Sequence, residues 1–553
     1  MTTQALKVIP LGGLGAIGKN MMVLEYGDAF IVIDTGLMFP DDEMLGIDLV
    51  LPDFSYVVEN RERLLGIVIT HGHEDHVGAL PYLLKQADAP VYGTRLTLGL
   101  VNAKLGEHGL QGKVSLNEIS PAKELRLGPF RMEFLEVSHS IPDGVALGIH
   151  TPVGTVVHTG DFKLDQTPID ERPTAMQKFA ELGRKGVLLL LSDSTNADTP
   201  GFTIPERTVG QRLDSIFALA PGRIIVASFA SHIHRIQQVI DTASRHGRSL
   251  AIIGRSMVKN VNIACNLGYL TVPEGLMIRP QDIATLPPDR VTVLSTGSQG
   301  EPLSALARMA ARDHPSVEIM KGDTVIISAR PVPGNETSVY RTIDRLFAAG
   351  AKVIYDSSAG VHVSGHAATE ELKVMLNLVG PKYFMPIHGE HRHLYFHAEL
   401  ARATGIPDER IFLMENGDVL ELTPDGAEIT GKVQAGMILV DGFAMGDLHD
   451  LVLRDRRHLA SDGLVMVVIT RSAQDGSIVT EPEVIFRGLA HAGEMEDLSE
   501  AAKRLVMESL SSEEMAQMGD LGLVKNRVHD VLQKFLRKEA GRRPMILPVI
   551  VEV

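Results

Sequence analysis

Six consecutive residues of this 553-residue chain, His71-Gly72-His73-Glu74-Asp75-His76, put four metal-ligating side chains directly behind the apolar run GIVIT. Alternate side chains of an extended segment share a side, so His71 and His73 face together, and Asp75 with His76 follows where a helix can begin. A solvated loop does not require four ligand types at this spacing, and the run reads as a metal-binding motif. Further candidates stand at the ends of later apolar runs: His139 in EVSHS, Asp161 in HTGD and His388 in PIHGE. Together these residues suffice for two divalent cations. Imidazole and carboxylate donors suit zinc, with manganese as the alternative, and a carboxylate such as Asp161 can bridge two ions. Asp34, closing FIVID, is placed to orient a histidine or to order the loop. The chemistry such a set offers is hydrolysis, because paired cations acidify water and neutralise charge on the group under attack.

The elements that must position these residues are short β-branched runs bounded by Gly, Asp, Ser or Thr: FIVIDTG, LGIVITHGHEDH, TVVHTGDF, VLLLLSDST, GRIIVASFA, LAIIGRS, VTVLSTGS, DTVIISARP, AKVIYDSSAG and YFMPIHGE. Helix-like stretches such as VGALPYLLKQ and TEELKVMLNLV lie between them, which predicts an α/β fold. Open α/β sheets bind ligands at the carboxyl ends of their strands, so the polar ends are expected to converge on one site. MMVLEYGDAFIVID is expected to form a hairpin turning at Gly27-Asp28, and FRMEFLEV from Phe130 alternates strictly. From about Glu206 to Tyr355 repeated strand and helix interrupt the pattern, before His-tipped strands return at VHVSGHA and PIHGE, and the interruption reads as an insertion. The expected organisation is a catalytic domain over 1–205 and 356–440, an inserted domain over 206–355, a linker over 441–461 and a small α+β domain over 462–553.

Composition excludes several classes. With 44% hydrophobic and 22% charged residues, the chain is neither disordered nor fibrous. Cys265 is the only cysteine, which excludes an intrachain disulfide and a Cys-rich zinc knuckle and fits a reducing compartment, the cytoplasm. The longest apolar runs, Val187 to Leu191 and Leu464 to Ile469, are far shorter than the roughly 18 residues of a membrane helix. The opening MTTQALKVIPLGG lacks the layout of an export signal. The net charge of −16 does not exclude a nucleic-acid partner, because phosphate contact needs only a local basic surface and bound cations add positive charge. Gly13-Leu14-Gly15-Ala16-Ile17-Gly18, with Asp34 about twenty residues on, imitates a dinucleotide fingerprint. A strand-like hairpin follows where that motif requires a crossover helix, so no nucleotide cofactor is expected.

Asp34, the His71 to His76 run, His139 and Asp161 resemble in order the four motifs of the metallo-β-lactamases, and Asp193, His366 and His388 resemble motifs A, B and C of the β-CASP nucleases. Within that group GGLGAIGKN, DTGLMFP, HTGDFKLDQTP, SDSTNA, STGSQGEP, ARPVPGNE, HVSGHA and PIHGE are similar to the bacterial ribonuclease J family, over about residues 7 to 450 and more loosely beyond. Ala16 and His232 depart from it, standing where relatives usually carry Glu and Asn.

The resemblance implies an αββα metallo-β-lactamase sandwich with an α/β β-CASP insertion and a C-terminal α+β domain. It implies that His71, His73 and His139 hold one metal, that Asp75, His76 and His388 hold the other, and that Asp161 bridges. His366 is then the expected general acid with Asp193 orienting it, and the products are a 5′-phosphate and a 3′-hydroxyl. The expected activity is hydrolysis of RNA, 5′→3′ from a 5′-monophosphate and also internally, in RNA maturation and mRNA decay. The turn His362-Val363-Ser364-Gly365-His366 has the composition of an anion nest, and Ser231, His232, His234 and Arg235 are expected to form a second phosphate grip near the 5′ end. The basic segment LVKNRVHDVLQKFLRKEAGRRP lies where relatives self-associate as dimers or tetramers, and Asp48 and Asp441 resemble positions that hold a structural calcium in some of them. A DNA-directed nuclease of the same group is the alternative, since no 2′-hydroxyl contact is legible. A small-molecule metallo-hydrolase would share the ligands but would not need the insertion.

Overall fold

The computed structural model describes residues 4–41, 43–301, 303–332, 335–355, 357–442, 444–446, 450–474, 477–489, 495–510 and 521–553. They divide into two compact units, one of Met1–Asp41 with Asp48–Val440 and one of Asp42–Ile47 with Asp441–Val553.

Two sheets form the centre of the first unit. One runs in the order Ala427–Lys432, Asp418–Leu422, Leu6–Gly12, Met21–Tyr26, Ala29–Ile33, Leu64–Val68, Val91–Gly93, Leu116–Glu118. The other runs Tyr383–Ile387, Leu189–Asp193, Thr155–His158, Val145–His150, Phe130–Glu136, Leu125–Leu127. Their facing sides bury Leu6, Leu24, Ile31 and Ile33 against Phe130, Phe134, Leu147, Leu189 and Leu191, each worth roughly 1.5–3 kcal/mol of apolar burial. Helices cover the outer faces. Leu80–Leu84 and Arg95–Glu107 pack Leu83 and Leu105 over Val23 and Ile67, while Met176–Lys185 and Thr369–Val379 pack Phe179 and Leu372 over Leu190 and Phe384. Helix, sheet, sheet, helix is the layering.

The glycine loop opens a strand: Met21–Tyr26 runs back antiparallel on Leu6–Gly12, and a Cβ on Gly12 would lie 1.8 Å from the Lys19 carbonyl oxygen. Tyr26 then pairs with Ala29 across Gly27-Asp28, as the alternation predicts.

Between Asp193 and His366 the chain builds a separate sheet, in the order Met277–Ile278, Ser249–Ile253, Val291–Ser295, Ile224–Ala227, Thr324–Ile327, Lys352–Ile354, with every pairing parallel. Helices such as Arg207–Leu219, Ile233–Arg245 and Glu336–Ala348 bury its two faces. Near-continuous runs such as IIVA and TVII follow from that double cover.

The second unit holds a sheet of Glu483–Arg487, Leu464–Arg471 and Met545–Glu552, with Val465, Val467 and Ile469 packed on Val506, Val528 and Leu532 of helices Met495–Leu510 and Leu521–Glu539. The expected linker 441–461 is largely helical, over Asp450–Asp462, while its residues 443 and 447–449 lie outside the described residues. Among the described residues no helix is long and apolar enough to cross a membrane.

Candidate metal centre and catalytic site

Parallel pairing of Ala29–Ile33 with Leu64–Val68, and of Thr155–His158, Leu189–Asp193 and Tyr383–Ile387 with one another, sends these strand ends to a common edge. Asp34, His71, Asp161, Asp193 and His388 sit on those ends or just beyond them. His73 is extended (φ −74°, ψ 154°) and precedes the one-turn helix Glu74–Val77, which turns Asp75 and His76 toward the same point.

Three imidazoles converge there: His71 Nε2 lies 3.0 Å and His139 Nε2 3.2 Å from His73 Nδ1. Asp161 Oδ2 lies 3.6 Å from His71 Nε2 and 3.7 Å from His139 Nε2, and also 3.2 Å from His76 Nε2 and 3.7 Å from His388 Nε2. Asp75 Oδ2 is 3.2 Å from His388 Nε2 and 3.6 Å from His76 Nε2. Among the described residues three sets of four potential ligand atoms therefore share Asp161: His71, His73, His139, Asp161; Asp75, His76, Asp161, His388; and Asp161, Asp193, His366, His388, the atoms of each lying within 4.8 Å of one another, and the first two draw on the histidines and Asp75 that face inward.

The electrostatics suit cations. Burial holds His71 and His139 well below the ordinary imidazole range and His73 down to about 4, so all three offer neutral lone pairs. Burial also opposes charge on His76 and His388, but Asp161 and the neighbouring carboxylates outweigh it and raise both well above that range. Burial would raise Asp75 and Asp161, yet the adjacent histidines keep both below the usual carboxylate range. Lone pairs facing one another at 3.0–3.2 Å repel unless a cation lies among them, and this donor set fits divalent metal.

Outer partners fix the ring orientations. Asp34, at φ +60°, accepts the Thr70 N–H and hydroxyl at 2.8 Å each and His76 Nδ1 at 2.8 Å, which turns His76 Nε2 inward. His139 Nδ1 donates to the Gly365 carbonyl at 2.8 Å, and His388 Nδ1 meets the Thr195 hydroxyl at 2.6 Å. Thr195 escaped the sequence reading, as did Asn20, whose Nδ2 donates to the Asp75 carbonyl at 3.0 Å, and the buried His158, which accepts the Gly160 N–H at 3.0 Å. Their neighbours in SDSTN, GKN and HTGD were the only available signal.

Beside the metal sets, His366 Nδ1 donates to Asp193 Oδ2 at 2.8 Å and its ring stacks on His388 at 5.4 Å between centroids. Burial lowers the His366 pKa, but the Asp193 charge and hydrogen bond outweigh it and the net shift is upward. Burial would raise Asp193 in turn, and His366 brings it far below the usual range.

The turn leading to His366 lies alongside. Ser364 Oγ accepts Asn196 Nδ2 at 2.8 Å and the His366 N–H at 3.2 Å, which leaves its hydroxyl proton for another acceptor. His362 Nδ1 is buried with no hydrogen-bond partner among the described residues, Val363 packs in the insertion's core and offers only backbone, and a Cβ on Gly365 would meet His139 Cε1 at 2.7 Å. In the second expected grip, Arg235 is 0% exposed. Its Nε and Nη2 donate to Glu206 at 2.7 and 3.0 Å, and its Nη1 donates to Ser328 and to the Val361 carbonyl, so no donor is directed to solvent. His232 Nε2 lies 3.5 Å from the same Glu206 and His234 Nε2 3.8 Å from Asp170; both are buried, and Ser231 is half-buried. Asp441 pairs with Arg456, and neither it nor Asp48 joins a cluster of three potential ligands among the described residues.

Residues 14–199 match the metallo-β-lactamase superfamily, 221–346 the ribonuclease J β-CASP domain, 357–413 the Zn-dependent metallo-hydrolase RNA specificity domain and 451–553 the ribonuclease J C-terminal domain. Fold and site thus define a metallo-β-lactamase-type hydrolase with a β-CASP insertion. The chain is 46% identical to Ribonuclease J of Thermus thermophilus over 99% of its own length and 95% of that protein's. It is 45% identical to Ribonuclease J of Synechocystis (99% and 86% covered) and 42% identical to Ribonuclease J2 of Bacillus subtilis (100% and 99%). It belongs to the ribonuclease J family. A solved structure of a protein of unknown function from Enterococcus faecalis V583 shares the fold, with a TM-score of 0.54 at 17% identity over 76% of this chain and 100% of that one.

Proposed function

We propose that this metal-dependent ribonuclease degrades RNA 5′→3′ from a 5′-monophosphate and also cuts internally, serving RNA maturation and mRNA decay in the cytoplasm. The observation that carries the reading is the pair of four-ligand sets sharing Asp161, with the His366–Asp193 pair beside them. Divalent cations, Zn²⁺ first and Mn²⁺ as the alternative, would be held by His71, His73 and His139 and by Asp75, His76 and His388 with Asp161 common to both. When bound they supply Lewis acidity, which acidifies water and neutralises charge on the phosphate. Asp193 takes His366 Nδ1, which leaves Nε2 to give its proton to the departing ribose 3′-oxygen as water adds to phosphorus. One P–O bond forms and one breaks, giving a 5′-phosphate and a 3′-hydroxyl.

Ser364, with its uncommitted hydroxyl proton, and His362, with its unpartnered Nδ1, support recognition of a terminal phosphate. A second copy of the chain is the proposed partner of the C-terminal unit. Met466 pairs with Ile485 and Leu547, and Thr470 with Val551, on the sheet face turned away from Val465 and Val467, and Leu547 and Val551 are exposed. RNA carrying a 5′-monophosphate or a 5′-hydroxyl, labelled at either end, tests the activity: single nucleotides should leave the 5′ end of the monophosphorylated strand first. Degradation from the 3′ end, or equal attack on both strands, overturns it.

A further inference from the structure

We infer that Glu371 is a positioning residue for His366, a carboxylate that ties two remote chain segments to the start of its own helix in the geometry proton transfer needs; this rests on the general-acid reading above. Glu371 lies in the first turn of helix Thr369–Val379 and is 1% exposed. Its Oε1 accepts the Leu164 N–H at 2.7 Å, and its Oε2 accepts the Thr203 N–H at 2.7 Å and the Ala368 N–H at 2.8 Å. A glutamate that only caps its own helix needs Ala368 alone. This one reaches two further segments, 207 and 168 residues away in the chain, and among the described residues no Lys or Arg pairs with it.

Each of the three donors belongs to a part of the machinery. Leu164 follows Asp161 by three residues. Ala368 follows His366 by two. Thr203 stands where the chain leaves for the insertion, and its hydroxyl donates to the His366 carbonyl at 2.7 Å. The same carbonyl accepts Asn196 Nδ2 at 3.0 Å. Glu371 therefore fixes Thr203, and Thr203 fixes His366, while the Ala368 bond holds His366 from its other side. The Thr369 N–H to the Thr199 carbonyl and the Glu370 N–H to the Gly201 carbonyl, both 3.0 Å, run the two segments side by side. An imidazole displaced by about 1 Å from its proton acceptor loses on the order of 10²-fold in rate.

The test is Glu371→Gln, which turns an NH₂ group onto amide donors that now face oxygen. Wild type, Glu371→Gln, His366→Ala and the double variant are compared on RNA and on a nitrophenyl phosphodiester, whose leaving group needs no proton. We expect kcat on RNA to fall about 10- to 100-fold in Glu371→Gln, with KM and bound metal unchanged, little effect on the nitrophenyl ester, and no further loss in the His366→Ala background. Equal loss in both backgrounds, or an unchanged rate, overturns the positioning role. His366→Ala slowing both substrates alike would instead overturn the general-acid reading. Should Glu371→Gln fail to fold, Thr203→Val decides by the same comparison: a loss on RNA absent in the His366→Ala background supports the path through Thr203, and an unchanged rate refutes it.

Discussion

Replacing Arg235 by Met should unfold the insertion's junction more readily and leave phosphate recognition alone. The guanidinium is fully buried and gives two hydrogen bonds to Glu206, which is itself 4% exposed. Removing one partner of a buried ion pair strands the other charge and costs about 3–5 kcal/mol. The Val361 carbonyl keeps the Ser328 hydroxyl at 2.6 Å, so it adds little. His232, held down to about 4 first by burial and then partly by the Arg235 charge, can take up a proton next to Glu206 once that charge is gone, which places the cost near 3 kcal/mol. At roughly 2–4 °C per kcal/mol for a domain of this size, Tm should fall by about 6–12 °C in calorimetry of the full chain. The sign with pH is fixed. In the wild type burial would raise the Glu206 pKa but Arg235 brings it well below the ordinary value, so the pair's stabilisation is complete above about pH 4.3 and is lost only as pH falls through the lower folded value. In the variant burial dominates and the Glu206 pKa rises, so the deficit should be largest near pH 8 and shrink toward pH 5. A Tm within 2 °C of wild type, together with loss of preference for monophosphorylated RNA, would refute the structural assignment and return Arg235 to the substrate.

Four other outcomes are expected. His76→Ala should lose bound metal by elemental analysis and all turnover with the circular dichroism spectrum unchanged, whereas active enzyme free of divalent metal would sink the metal reading. Asp193→Asn removes the charge that raises the His366 pKa, so the alkaline limb of the kcat–pH profile should move to lower pH; a limb that stays in place means another group is titrating. Asn196→Ala should lower both kcat and the preference for 5′-monophosphate, because Asn196 Nδ2 bonds the His366 carbonyl and Ser364 Oγ, while Ser364→Ala, which removes only the longer 3.2 Å acceptor of the His366 N–H, should lower the preference more than kcat; unchanged preference in both variants would refute the reading. Removing residues after about Asp462 should yield smaller particles in light scattering, and an unchanged assembly would exclude this unit as the interface.

The metal side of the centre was legible because its residues sit on or just after strands, where type and spacing are local facts. HGHEDH needs only one strand end and one helical turn to bring four side chains together, and both are written within ten residues. The α/β class and the opening hairpin were legible for the same reason, from β-branched runs and a two-residue turn, whereas the four-layer arrangement came only with the family resemblance. Arg235 was not. In FASHIHRIQ it has the look of a surface cation beside hydroxyl and imidazole groups, and only the position of Glu206, 29 residues earlier, shows that its charge is neutralised internally. Glu371 escaped for the converse reason: in TEELKVMLNLV a glutamate in the first helical turn is an ordinary capping residue, and nothing local shows that the N–H groups of Leu164 and Thr203 arrive on it. Polar groups buried by distant segments carry no periodic signature, so they are the ones a linear reading assigns to solvent.

The two halves of the site are accordingly held by different physics. The candidate metal ligands follow the ends of paired strands or, for Asp75 and His76, stand on the one helical turn just after such an end, and strand register is not shifted by a single side-chain change, so their loss should be chemical and abrupt. His366 has no strand beneath it. Its ring is fixed by Asp193 and its carbonyl by Asn196 and Thr203, all hydrogen bonds from segments that flank the insertion. Strain that moves the insertion therefore acts on the proposed proton donor, His366, through all three of these bonds, and on the candidate metal ligands chiefly through the single His139–Gly365 bond. Substitutions at the junction should lower the rate on RNA in graded steps while the metal content stays constant.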